Sequence, residues 1–253
     1  MCLVLLAIGA RPELPLVVAA NRDERYDRPT SPASFWTDAP GVLAGLDLEK
    51  RGTWMGITRT GRFAALTNVR DPAARREAPR SRGQIVRDYL VGDSAPTPFS
   101  HALPRDELPA FNLVCGSVDT LSFVRDDRIE PTPIARGIHG LSNARLDDAW
   151  PKVERGKRLL SQWIDRGAND TEELFSMLDD RNIAPDESLP HTGVPMEWER
   201  SLSACHIVMP GYGTRCSTII VVRGSDVTFE ERTFDSKGAA IGFVREDFIL
   251  RAS

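Results

Sequence analysis

Two short apolar runs open the chain, residues 3–8 and 16–20, separated by a Gly9/Pro12 break. They predict a β-hairpin whose second strand ends in Asn21-Arg22-Asp23-Glu24. Residues 26–32 hold Pro29 and Pro32 and read as a turn-rich loop, because proline fixes φ and cannot donate to a ladder. Residues 42–45, 54–58 and 62–68 alternate as short strands, with Thr60-Gly61 as a tight turn. Connections this short allow only antiparallel pairing.

The period then changes. Ser81, with Gln84 three residues on, predicts a capped helix to Leu90 whose stripe is Ile85, Val86, Tyr89 and Leu90. Residues 112–116 and 120–124 read as a second hairpin, and 138–143 as a short strand. A helix is expected from Asp147–Pro151 to about Arg166, on a stripe of Val153, Leu159, Leu160, Trp163 and Ile164. Acidic residues at its start and basic ones later suit the helix dipole. A further helix is expected over 171–178, a mobile loop over the proline- and charge-rich 179–198, and strands over 203–209, 218–222 and 227–232. Strands, helices and strands in that order, without a repeat or linker, predict one α+β domain over residues 1–253 with antiparallel sheets.

Composition narrows the partners. With 32 basic and 36 acidic residues the net charge is −4, which gives no general affinity for nucleic acid or an anionic membrane. The run after Cys2 is too short to span a bilayer, and no basic segment precedes it. Cys2, Cys115, Cys205 and Cys216 show no CxxC spacing, which suits free thiols in a reducing compartment, and a cytoplasmic location is expected. His101, His139, His191 and His206 are scattered, so no metal site is expected. A non-covalent haem contact by His139, His206 or Cys205 stays open, although a structural role for a buried histidine is the simpler reading.

The candidate chemistry lies at the start. If Met1 is removed, Cys2 carries its own α-amine, whose pKa near 8 suits it to take the thiol proton. Asn21 and Asp23 fall on one face of the second strand, at the end where Cys2 sits. There a carboxylate would hold the ammonium, and an amide would bond to it or to a substrate carbonyl.

Met1-Cys2, Ala19-Ala20-Asn21-Arg22-Asp23-Glu24, Gly52-Thr53-Trp54-Met55-Gly56-Ile57, Ala64-Ala65-Leu66-Thr67-Asn68, Gly140-Leu141-Ser142-Asn143 and Pro210-Gly211-Tyr212-Gly213-Thr214-Arg215 are collinear and span nearly the whole chain. Together they resemble the NRDE, or transport and Golgi organisation 2, family, which is similar to cysteine N-terminal-nucleophile hydrolases. The resemblance implies an αββα sandwich of two antiparallel sheets flanked by helices. It implies Cys2 as nucleophile, Asp23 holding amine and thiol, Asn143 and secondarily Asn68 as oxyanion donors, and Arg215 beside the thiol. Asn21, Arg22, Asp23 and Glu24 would form the ligand-binding segment.

The sequence departs from those hydrolases in one place. Where they carry an arginine before Asn-x-Asp, this chain has Ala19-Ala20, and Arg22 would point to the opposite face of the strand. Two readings follow from the resemblance. In one, Cys2 cleaves the C–N amide or thioester of a small ligand and needs no cofactor. In the other, the protein is a non-catalytic carrier of haem, acyl-CoA or lipid, with haem as a bound ligand. The glycine-rich Gly211-Tyr212-Gly213-Thr214 lacks the lysine of a phosphate-binding loop and reads as a turn.

Overall fold

The computed structural model describes residues 2–72 and 78–251. In chain order it contains β1 Cys2–Arg11, β2 Leu14–Arg25, β3 Thr30–Phe35, β4 Val42–Asp47, β5 Met55–Thr58 and β6 Arg62–Asn68. Two helices follow, α1 Arg82–Val91 and α2 Pro96–Ala102, and then four strands, β7 Phe111–Ser117, β8 Thr120–Arg125, β9 Arg128–Pro133 and β10 Gly137–Leu141. The chain closes with α3 Pro151–Asp165, α4 Thr171–Leu178, α5 Met196–Ser201, β11 Val208–Met209, β12 Tyr212–Arg223, β13 Asp226–Phe234 and β14 Ala240–Ile249.

Two seven-stranded sheets result. One runs β10-β1-β2-β12-β13-β14 with β11 on β12, and the other is a meander from β3 to β9. Every pairing is antiparallel, as the short connections require. Period-two alternation explains the layering. Val4, Leu6, Ile8, Leu16, Val18 and Ala20 face the meander and pack with Ile57, Phe63, Ala65 and Val114. The intervening Leu3, Leu5, Val17 and Ala19 face outward under α3 and α4, against Val153, Leu160, Trp163 and Leu174. The far side of the meander is covered by α1 through Ile85, Val86, Tyr89 and Leu90. Helices, sheet, sheet, helix: the expected αββα sandwich.

Local chemistry set several elements as expected. Ser81 caps α1 in a reciprocal box with Gln84. Asp170 caps α4 by accepting from the Glu172 N–H at 2.9 Å. Gly211, at φ 76°, turns β11 into β12, a left-handed position that glycine adopts without strain. Gly156 lets α3 lie against β1, because a Cβ there would meet Leu5 Cδ1 at 2.6 Å.

Other expectations are corrected. Thr30–Pro32 belong to β3 rather than to a loop, and β9 and β14 are additional strands. The stretch 203–209 is not a strand beyond Val208–Met209. Its backbone groups bond elsewhere: Cys205 C=O accepts from Asn21 Nδ2, His206 N–H donates to Asp180 C=O, and Ile207 N–H donates to Thr214 Oγ1. The ladder partner along β2 is instead β12, which begins at Tyr212, six residues before the expected 218. The segment 179–198, expected as the mobile loop, holds a 3₁₀ turn at Asp186–Ser188 and the first turn of α5. Its end is fixed by a buried Arg70–Glu199 pair at 2.8 Å, with Glu199 also accepting from Thr192. The first turn of α3 is not purely acidic either, since Lys152 is buried there.

Candidate active site

The site forms where β1, β2 and β12 end together at one edge of the inter-sheet space. Cys2 pairs with Arg22, and Arg22 pairs with Cys216 on its other side, so the three lie in a row across adjacent strands. They line a cleft of about 340 Å³ with Asp23, Glu24, Asn68, Trp54, Leu46, Leu66, Arg28, Arg82, Arg215 and Glu231. The N-cap Ser81 and Gly83 form part of its wall.

Cys2 is 7% exposed. Burial, and with it the Asp23 carboxylate, pushes its thiol above the ordinary range, while the Asp23 backbone amide dipole and the Arg22 cation act downward. Its carbonyl accepts from Ser142 Oγ at 3.0 Å, and Ser142 C=O in turn accepts from Thr67 Oγ1. Cys2 is therefore pinned from the segment after β10 and from β6.

Arg22 does point away from Asn21 and Asp23, as alternation demands, and that face is the one the Cys2 side chain occupies. A guanidinium thus stands beside the thiol without the arginine that precedes Asn-x-Asp in the hydrolases. It forms a long ion pair with Glu24, at 3.9 Å. Asp23, 2% exposed, accepts from Thr214 Oγ1 at 2.8 Å, and its carbonyl accepts from Tyr212 Oη at 3.0 Å. Burial pushes its carboxyl up, opposed by Lys152, the Thr214 bond and Arg70.

Of the two expected oxyanion donors, Asn68 lines the cleft. Asn143 lies behind it, 1% exposed, donating from Nδ2 to Asn68 C=O at 2.8 Å and accepting the Arg70 N–H on its carbonyl at 2.7 Å. Arg215 lines the cleft but not as the thiol's cation. It is the extra residue of a bulge between Thr214 and Cys216, and it donates to the carbonyls of Arg25 and Arg28 at 2.8 and 3.0 Å. Asn21 is corrected more fully. On the helix-facing side it donates to Leu178 C=O and Cys205 C=O at 2.9 Å and accepts from Ser217 Oγ, so it holds α4 rather than a ligand.

The residues considered for haem lie elsewhere. His139 bonds Asp147 and Ala135 C=O, His206 is buried against Asp179 and Phe234, and Cys205 is buried under α3. All four cysteines are buried free thiols, and among the described residues no cluster of three or more metal-ligating side chains occurs.

Three residues of the site's surroundings were not foreseen. Cys216 lines the cleft, and burial holds its thiol well above the ordinary range. Glu231 lines it too and accepts the Ala33 N–H at 2.8 Å, linking the two sheets. Lys152 lies at the helix-facing side of β2 that carries Asn21 and Asp23: its carbonyl is 4.0 Å from Cys205 Sγ, and Cys205 C=O accepts from Asn21 Nδ2 at 2.9 Å. The sequence carries a signal for it, since Lys152, Gly156 and Leu160 share one buried line of α3 and put a lysine in an apolar stripe.

Two antiparallel sheets between helical layers, with a cysteine opening the first central strand at the mouth of a cleft, define the class: the fold of N-terminal-nucleophile hydrolases. Solved structures of two variants of the conjugated bile acid hydrolase from Clostridium perfringens are similar in fold. Each superposes with a TM-score of 0.57 at 10% identity, over 100% of this chain and 98% of that one. Within the class, the chain belongs to the Transport and Golgi organisation 2 family, whose profile matches residues 1–236. It is 34% identical to the Bos taurus Transport and Golgi organization protein 2 homolog, covering 92% of this chain and 93% of that protein. The Homo sapiens homolog is also 34% identical, over 94% of each chain, and the Drosophila melanogaster protein is 28% identical over 88% of each.

Proposed function

We propose that the Cys2 cleft cleaves the C–N amide or thioester bond of a small acyl ligand. One observation carries this reading: Cys2 lines the cleft and shares its sheet face with Arg22, whose ion pair with Glu24 is long at 3.9 Å. A thiol buried merely for packing needs neither a place at a cleft nor a neighbouring cation.

With Met1 removed, the Cys2 amine takes the S–H proton. The thiolate attacks the ligand's carbonyl carbon, forming a C–S bond as the C–N or C–S bond to the leaving group breaks. The ammonium returns its proton to the leaving amine or thiolate. Water then hydrolyses the acyl-Cys2 thioester, giving the carboxylic acid and the free thiol. Asn68, backed by Asn143, is the donor that faces the developing oxyanion, and Arg22 lowers the thiol pKa. The test is a panel of acyl amides and acyl thioesters with the native protein and with Cys2→Ala. Turnover that disappears in Cys2→Ala supports hydrolysis; no turnover across the panel, with Met1 shown to be absent, overturns it.

A second reading, a carrier of acyl-CoA or haem, draws on the lining of the cleft. Arg22, Arg28, Arg82 and Arg215 lie there with Trp54, Leu46 and Leu66, a composition suited to an anionic ligand with an apolar body. Binding that survives Cys2→Ala, followed by haem absorbance or by displacement of a fluorescent acyl-CoA, favours the carrier.

A further inference from the structure

Lys152 is an expensive residue that the mechanism above does not use. It is 1% exposed, and among the described residues its Nζ meets no hydrogen-bond acceptor. A buried ammonium without a bond is costly. Its place adds to the cost, because it sits in the first turn of α3, where the helix dipole disfavours a cation. A methionine of the same length would fill this volume at no such penalty. Folding alone therefore gives no reason for a lysine here.

The surrounding charges supply one. Burial pushes Lys152 down, and the strongest opposing influence is the Asp23 carboxylate; Arg70 pushes it down further, while Cys205 and Cys2 raise it. From the other side, Lys152 is the charge that does most to keep Asp23 ionised, ahead of Arg70. Arg70 is itself paired with Glu199 at 2.8 Å, so its charge is shared. Thr214 and Tyr212 add only neutral hydrogen bonds around Asp23. Among the described residues, the titratable and charged groups facing the carboxylate include Lys152 from α3, Arg70 from the segment after β6, Tyr212 from β12, Tyr26 after β2 and Cys2 from β1.

A nucleophile that uses its own α-amine as base needs that amine neutral at working pH. A buried carboxylate with no other cation would hold the amine as ammonium and leave it no capacity for the thiol proton. We infer that Lys152 is a positioning residue of the Cys2 site: its buried ammonium compensates the Asp23 carboxylate from behind β2, so that the Cys2 amine is free to accept the S–H proton. This rests on the reading of Cys2 as the nucleophile.

The test uses the full chain with Met1 shown by mass spectrometry to be absent. The rate of Cys2 alkylation by iodoacetamide is followed by peptide mass spectrometry from pH 5 to 9.5, for wild type, Lys152→Met and Lys152→Arg. Lys152→Met is expected to melt at or above the wild-type temperature. Its rate limb should shift up by at least one pH unit, so that the rate at pH 7 falls about tenfold while the alkaline plateau is kept, and Lys152→Arg should recover part of the shift. A Lys152→Met profile superimposable on wild type overturns the inference while leaving Cys2 chemistry intact. A wild-type limb already at the ordinary thiol value overturns the nucleophile reading, and this inference with it. Should Lys152→Met not fold, ¹⁵N NMR of the wild-type lysine Nζ decides: a Lys152 signal that responds when Cys2 is alkylated is expected, and one that does not respond contradicts the inference.

Discussion

At Cys2 the sequence and the geometry meet, and its surroundings differ from those of Cys115. Cys115 is also buried, yet its thiol is pushed to about 12 with only Arg62 acting downward. Cys2 has Arg22 beside it on the sheet, between it and Cys216, and that cation acts downward on its thiol. Arg22→Leu should therefore slow alkylation of Cys2 at pH 7 by about tenfold, since a neighbouring cation lowers a thiol pKa by roughly a unit or more. Its long pairing with Glu24 should make the stability loss at most about 1 kcal/mol, measured by urea unfolding. Unchanged labelling would remove Arg22 from the site. Glu231 gives a second residue-scale prediction. Burial raises its carboxyl pKa, so the native state keeps a proton that the unfolded chain releases near 4.5. Its contribution to stability is therefore largest below about 4.5 and is lost as pH rises through the native value. In Glu231→Gln the fall in unfolding free energy between pH 5 and pH 8 should shrink; an unaltered fall would place the dependence on another group.

At the scale of elements, α3 positions the site from outside the sheet. Its approach to β1 depends on Gly156 and carries Lys152 beside Cys205, under the helix-facing side of β2. Gly156→Ala gains up to about 1 kcal/mol of helix propensity but forces a methyl to within 2.6 Å of the Leu5 side chain. Overpacking of this kind costs about 1–3 kcal/mol and should win, giving a net loss of about 1–2 kcal/mol by urea unfolding together with slower Cys2 labelling. A stabilised variant would mean that α3 can shift without consequence. The elements readable from sequence are those whose local signals agree: the first hairpin, the capped α1, α3 with its stripe, and α4. β3, β9 and β14 escaped because prolines and charges sit in them, as is usual for strands near a sheet edge. The false strand at 203–209 had an apolar pattern, but the side chains of Asn21 and Thr214 took its hydrogen bonds, and these come from parts of the chain that no local window contains. Asn21 was misassigned for the related reason that period two places it with Asp23 without saying which face meets the cleft. Lys152 was legible as an anomaly in a stripe, but its relation to Asp23 is purely tertiary.

The whole molecule is a two-sheet sandwich in which one edge of the inter-sheet space opens onto the start of the chain. With Met1 removed, as the proposal requires, β1 paired with β2 and β10 would hold the Cys2 thiol and amine together at a single sheltered place. Cys2→Ala should accordingly leave the fold intact, with unfolding free energy changed by less than about 1.5 kcal/mol because only a small side chain is lost. The most direct test of the account is intact-protein mass spectrometry of the natively purified chain, before and after incubation with a reactive acyl thioester. The account predicts a mass lacking Met1, then a single acyl adduct that maps to Cys2, decays by hydrolysis, and does not form in Cys2→Ala. A chain that retains Met1, or one lacking it that forms no adduct at Cys2 under any acyl donor of the panel, would contradict it.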